Sequence, residues 1–240
     1  MRKIVSKKNG SFNALEIKTW MTEADYTDSD MAVDAIPAFK RAIELMRETD
    51  LSTKNILDFG CSQGGFLRML HKQRPFKNGL GVDVALDSLE RARQLRANEP
   101  IEYKHTNELN GYPDYFDIVQ SLWVIFHFED LEEHFAQIKS VLKLGGVYYA
   151  HTGEHSESKV WPNWKAELEK RTQLKTYTHS PEQIVAAFEN QGFEVEVIPW
   201  NWEDVAYIDD FKPTIWHPTR EIYEDHYLNR ILMFRAVLQD

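Results

Sequence analysis

Between residues 55 and 152, short apolar runs alternate with amphipathic stretches, and this alternation predicts the elements. Asn55–Phe59, Gly79–Asp83, Ile101–His105, Phe116–Leu122 and Val147–Thr152 read as buried strands. Helices are expected over Phe66–His71, about Leu86–Ala97 and Leu131–Leu142, the last stopped by Gly145-Gly146. Upstream, Val33, Ile36, Phe39, Ile43 and Met46 recur at helical spacing, with Pro37 suited to a first turn. Downstream, Ser180 caps a helix over Pro181–Gln191 that stops at Gly192. Phe193–Trp200 and Ile231–Leu238 complete seven strands. Strands alternating with helices predict βαβ units, hence an α/β, Rossmann-like, doubly wound and mostly parallel sheet covered on both faces.

Composition narrows the class without changing that picture. The 240 residues are 42% apolar and 28% charged, ordinary for a globular chain. Cys61 is the single cysteine, which excludes an internal disulfide framework and a cysteine-rich zinc site. No apolar run is long enough for a membrane span, and no apolar segment follows the basic start MRKIVSKKNG, so the expected location is cytoplasmic. The net charge of −10 argues against a nucleic-acid partner and against an anionic membrane surface. Residues 1–50 read as a polar N-terminal arm or helical lid ahead of a domain spanning 51–240. Insertions are expected at 155–180 and 201–229.

Ligands of open parallel sheets bind beyond the strands' carboxyl ends, which here carry Asp58, Asp83, His105, Ser121 and His151. The strongest signal is LDFGCSQGGF, residues 57–66, a strand, a glycine turn and a helix start in that order. Gly60 suits a tight turn, and Gly64 lets a ligand approach the backbone. The helix start offers free N–H groups, while Asp58 offers a carboxylate to a cation. Asp83, 23 positions after Gly60, can accept both hydroxyls of a ribose. Together these features imply an adenosine-type ligand with an amino-acid or phosphate tail.

These residues resemble the class I S-adenosylmethionine-dependent methyltransferases. LDFGCSQGGF is similar to that family's first motif, with Ser62 in place of its second glycine. Gly81-Val82-Asp83 resembles its ribose-binding motif. FDIVQSLWVIFHFED, residues 116–130, resembles its fourth strand and loop, and LKLGGVYYAHTGE, residues 142–154, its fifth strand. The resemblance implies that Asp58 and Gly60 hold the methionine part and Asp83, with Val84 beside it, the ribose. Cys61, Ser62 and Gly64 would complete the cofactor turn. His105, Thr106 and Asn107 would lie near the adenine, and Ser121 and Leu122 beside the sulfonium methyl. The last strand is then expected to be antiparallel. The implied reaction is in-line methyl transfer to an oxygen or nitrogen of a small-molecule acceptor, leaving S-adenosylhomocysteine.

His127, His151 and His155 are the candidate bases, with Glu154 a further one. The His151–Glu154–His155 spacing would suit a metal on a helix, but Gly153 and the predicted strand argue against a metal site. Residues 201–229 hold six aromatic residues among seven acids, which suits a pocket wall or a homodimer interface as well as a packed mini-core. Three alternatives stay open: a tRNA or protein acceptor, a non-catalytic nucleoside-binding scaffold, and a nicotinamide dehydrogenase with Gly60, Ser62 and Gly65 read as its glycine turn.

Overall fold

A computed structural model describes residues 28–239, apart from 173, 208, 215 and 216. Of the arm expected at 1–50, residues 1–27 lie outside the described residues. The chain forms α1 (Asp28–Leu45), β1 (Asn55–Phe59), α2 (Gly65–Gln73), β2 (Asn78–Asp83), α3 (Leu86–Leu95) and β3 (Ile101–His105). There follow β4 (Phe116–Leu122), α4 (Leu131–Val141), β5 (Leu142–Gly153), α5 (Trp161–Thr172) and α6 (Pro181–Asn190). β6 (Phe193–Pro199), α7 (Glu203–Ala206), α8 (Arg220–Asn229) and β7 (Ile231–Leu238) complete it. The seven strands make one sheet in the order β3-β2-β1-β4-β5-β7-β6. β1 to β5 run parallel, and β7 enters antiparallel between β5 and β6. This is the expected α/β, Rossmann-like, doubly wound sheet with an antiparallel last strand.

Side chains alternate across the sheet and divide the core in two. Leu57, Val119, Tyr148 and Phe234 pack with α4 and α6 on one face. Ile56, Ile118, Tyr149 and Met233 pack with α1, α2 and α3 on the other. Strands buried on both faces explain the near-continuous apolar runs in the sequence.

Two expectations are corrected. Pro37 lies inside α1 and not at its start. Its missing N–H costs a helical bond, while Ala38, Ala42 and Ile43 hold that helix by burying against the sheet. Gly145-Gly146 does not stop α4, which already ends at Val141; the pair lies inside β5, where the register with β4 shifts between Phe116 and Ile118. Gly145 takes φ +72°, the conformation that lets the strand turn there.

Candidate functional site

The turn after β1 is tied to its neighbouring strand. The backbone N–H groups of Gly60 and Cys61 both donate to the Val82 carbonyl, at 2.8 and 3.0 Å. Gly60 has φ +81°, and a Cβ there would lie 2.4 Å from Val124 Cγ2. Gly64 begins α2 at φ +74°, and its missing Cβ makes room for the Tyr103 phenol, which would meet it at 2.3 Å. The close approach at Gly64 is therefore taken by a side chain of β3. Ser62, at the position of the family's second glycine, adopts φ +47° and donates its N–H to Asp83 Oδ2 at 2.8 Å. Cys61 is buried beneath the turn, against Gly81, where burial pushes its thiol up; it is a filler there.

Strand register decides which side chains share a face. Asp58 pairs with Gln120, and Leu122 pairs with His151. Paired residues point to the same side, as do residues two apart on one strand. Asp58, Gln120, Leu122 and His151 therefore share the face covered by α1 and α2, at the carboxyl ends of β1, β4 and β5. Asp58 is 2% exposed, and burial, aided by the Asp83 charge, raises its carboxyl to about 8. Both amide atoms of the fully buried Gln120 lack a hydrogen-bond partner, and so do those of Gln63 in the turn. Buried polar groups without partners cost about 1–3 kcal/mol each, so a concentration of them points to a ligand.

Asp83, half-buried at the end of β2, accepts from Ser62 N and from Ala85 N, each at 2.8 Å. Burial raises its carboxyl, partly offset by those hydrogen bonds, by Val84 N–H and by His105. Each carboxylate oxygen keeps a lone pair for a further donor. His105 pairs with Asp83 across β2 and β3. Its Nδ1 accepts from Asn107 N at 3.2 Å, which puts the proton on Nε2, a buried atom without a partner. Thr106 and Asn107 open a 3₁₀ turn, Thr106–Gly111, next to that imidazole.

Ser121 departs from its expected role. Its hydroxyl lies on the opposite face, 2.8 Å from Tyr148 Oη, which in turn lies 3.1 Å from His134 Nε2. Leu122, and not Ser121, supplies the side chain on the face shared with Asp58 and Gln120.

The three candidate bases are not brought to one point. His127 Nδ1 lies 3.1 Å from the Lys175 carbonyl, and burial lowers its pKa. His151 is fully buried between Trp123 and Trp200, at ring separations of 4.2 and 4.1 Å. Neither of its nitrogens has a partner, and burial drives its pKa well down. His155 stacks on Trp161 at 3.5 Å, with its pKa lowered to about 3 by burial and by His226. All three imidazoles are neutral at pH 7. Glu154 is occupied: burial would raise its pKa, but Ser156, the Glu157 N–H and Arg230, whose Nη1 lies 2.9 Å away, hold it below the usual range. Among the described residues no group of His, Cys, Asp and Glu converges to hold a metal ion.

Trp123 directly follows β4 and packs against His151 and Trp200. It adopts φ +55°, a left-handed conformation that costs a bulky residue about 1–3 kcal/mol and persists where packing enforces it. Gln63, Gln120 and His226 complete the polar surroundings and were not singled out from the sequence. A glutamine inside the otherwise apolar run FDIVQSL was the available signal for Gln120.

Comparison with known proteins agrees with this fold. The family model described as "Methyltransferase domain" matches residues 31–197. A chain of the complex between the Haloferax volcanii Trm112 methyltransferase activator and the putative methyltransferase superposes with TM-score 0.75 at 20% identity, covering 90% of this chain and 97% of that one. An S-adenosylmethionine-dependent methyltransferase from Mesorhizobium loti gives 0.64 at 18%, covering 85% and 97%. Geranyl diphosphate C-methyltransferase from Streptomyces coelicolor A3(2), in complex with Mg²⁺, geranyl diphosphate and S-adenosyl-L-homocysteine, gives 0.66 at 16%, covering 95% and 94%. A comparison with curated protein sequences gives no significant match. With the family model matching more than half its length, the chain belongs to the methyltransferase-domain family and has the fold of the class I S-adenosylmethionine-dependent enzymes.

Proposed function

We propose that the protein transfers the sulfonium methyl of S-adenosylmethionine to a small-molecule acceptor. The observation that carries this reading is Asp58, a buried carboxyl with a raised pKa, beside the unpartnered amide of Gln120. That pair fits the ammonium and carboxylate of a methionine tail. Asp83 at the next strand end fits a ribose diol, and His105 to Asn107 fit the adenine edge. When bound, the cofactor supplies a methyl group already activated by positive charge.

The protein's share of the work is then positional. Asp58 and Gln120 would fix the tail, and Asp83 the ribose, so that the methyl group is held beside Leu122. Trp123 and the residues after β5 would close the site against water and align the acceptor atom behind the methyl. A small acceptor is favoured by the closed aromatic packing around Trp123, His155 and Trp161, and by the net charge of −10, which disfavours a polyanion.

Equilibrium dialysis tests the reading. Labelled S-adenosylmethionine should bind the wild type at micromolar concentrations, NAD should not compete, and Asp83→Asn should weaken binding at least tenfold. Competition by NAD, or no binding by folded protein, would refute it.

A further inference from the structure

α8 is fastened to the end of β5 by a few polar contacts. The chain leaves the sheet after β6 and returns at β7. There the Trp200 N–H donates to the Ile231 carbonyl at 3.0 Å and the Glu154 N–H to the Arg230 carbonyl at 2.5 Å, closing the base of the excursion. Ile231 pairs with Gly153, the last residue of β5, so Arg230, just after α8, stands at the carboxyl end of that strand. Its Nη1 meets Glu154 at 2.9 Å and Glu157 at 3.2 Å, and its Nε meets Asp225 of α8 at 2.9 Å. One guanidinium thus ties α8 to the loop after β5. α8 in turn holds α7, through Trp202 N–H to the Tyr227 carbonyl at 3.1 Å and Tyr223 Oη to the Val205 carbonyl at 2.8 Å. The two helices form one unit on a closed base, the kind of element that opens without the core.

Imidazoles fill the interface under that clasp. His226 of α8 lies 5.1 Å from His217, which precedes the helix, and 5.9 Å from Trp164 of α5, by ring centroids. With Trp123, Gly153 and His155 it lines a cavity of about 10 Å³, which sets α8 against the ends of β4 and β5. His155 stacks on Trp161, and the charges of His151 and His179 also bear on this cluster. The charged groups around it are Glu154, Glu157 and Asp225, all held by Arg230, with Lys159 near Glu221 and Arg220 on Glu224 farther along α8.

His217 and His226 belong to the excursion, and His151 and His155 to the body beneath it. Protonation therefore sets cations against one another across the interface, beside Arg230. Burial first, and for His151, His155 and His226 the neighbouring imidazoles, keep the cluster neutral at pH 7; His155 and His226 are lowered to about 3. Opened to water, the same rings titrate near 6.5. The closed form is then most stable above 6.5 and loses stability as pH falls towards 3. Between 6.5 and 5.0, His155 and His226 each shift the balance about thirtyfold towards opening. The carboxylates do not offset this. Burial would raise Glu154 and Asp225, but their hydrogen bonds hold both below the usual range, so they stay ionised over that interval.

We propose that α8 is an acid-released lid over the carboxyl ends of β4 and β5, clasped by Arg230 and loosened when His155 and His226 take up protons. Its consequence for catalysis rests on the methyl-transfer reading, which puts the acceptor at this edge; the opening itself does not.

Hydrogen exchange read by mass spectrometry at pH 7.5 and 5.0, corrected for intrinsic amide rates, tests this. In the wild type, α8 amides should be at least tenfold less protected than β4 amides at both pH values. Their protection should fall at least a hundredfold on acidification. His226→Phe, or His155→Phe from the other side of the interface, should make that fall at least tenfold smaller. Arg230→Gln should lower α8 protection at least tenfold at pH 7.5 and leave β4 within threefold. Equal protection of α8 and β4, an α8 unmoved by pH, a full acid response in both histidine variants, or no effect of Arg230→Gln would overturn the proposal. S-adenosylhomocysteine binding by the wild type at pH 7.5 reports on the methyl-transfer reading alone, so the two can fail separately.

Discussion

Replacing Asp58 by asparagine should separate binding from stability. Asp58 is buried at the end of β1, and its carboxyl is raised to about 8, so it is protonated in the free protein at pH 7. In the unfolded chain it ionises near 3.8. The folded state therefore holds a proton that the unfolded state gives up between those values. Stability from this group is fully present below about 3.8 and is lost as pH rises towards 8. About 3 pH units separate 3.8 from pH 7, and at about 1.4 kcal/mol per unit the penalty at neutral pH is on the order of 4 kcal/mol. Asp58→Asn removes the titration and keeps the shape of the protonated acid. It should raise the melting temperature at pH 7.5 by on the order of 10 °C, at roughly 2–4 °C per kcal/mol for a chain of this size. The gain should shrink towards zero near pH 4. An ammonium ligand would reverse the logic, because it favours the ionised carboxylate. Wild-type binding of S-adenosylmethionine at pH 7 should release close to one proton, seen as a calorimetric heat that changes with buffer. Asp58→Asn should lose that proton release and at least tenfold in affinity. An unchanged melting temperature at both pH values, or cofactor binding as tight as wild type, would refute the assignment.

Acidification should weaken the fold through the buried histidines. His134, His155 and His226 sit near 3 in the folded protein against 6.5 when free, so the stability they allow is complete above 6.5 and drains away as pH falls towards 3. Between pH 6.5 and 5 each contributes a loss on the order of 2 kcal/mol, measurable by urea unfolding of Asp58→Asn, in which the opposing carboxyl is absent. Gly60→Ala should destabilise severely, because its Cβ meets Val124 at 2.4 Å in a left-handed backbone. Adding Val124→Ala should restore part of that loss in a double-mutant cycle, and strict additivity would contradict the contact. Ser121→Ala should cost about 1 kcal/mol through the lost bond to Tyr148 and leave cofactor affinity within twofold; a tenfold loss of affinity would show that the hydroxyl reaches the ligand.

The sheet was legible because each strand is buried on both faces, so its apolar run stands out from the amphipathic helices around it. β1, β3, β4 and β7 agree in their limits with the sequence reading. Misreadings arose where tertiary packing outweighs local preference: Pro37 inside α1, and the glycine pair inside β5. The site was legible where a residue type carries chemistry at a strand end, as with Asp58 and Asp83. Side-chain face is not encoded at Ser121, whose partner, Tyr148, comes from the adjacent strand β5. Gln63 and His226 depend on which groups remain unbonded after packing, which spacing does not encode.

A crystal structure grown with S-adenosylhomocysteine tests the central claim most directly. The account predicts the ligand's ammonium against Asp58, its ribose hydroxyls on Asp83 and its adenine beside His105 to Asn107. Ligand bound elsewhere, or density at this edge only when NAD is supplied, would contradict it.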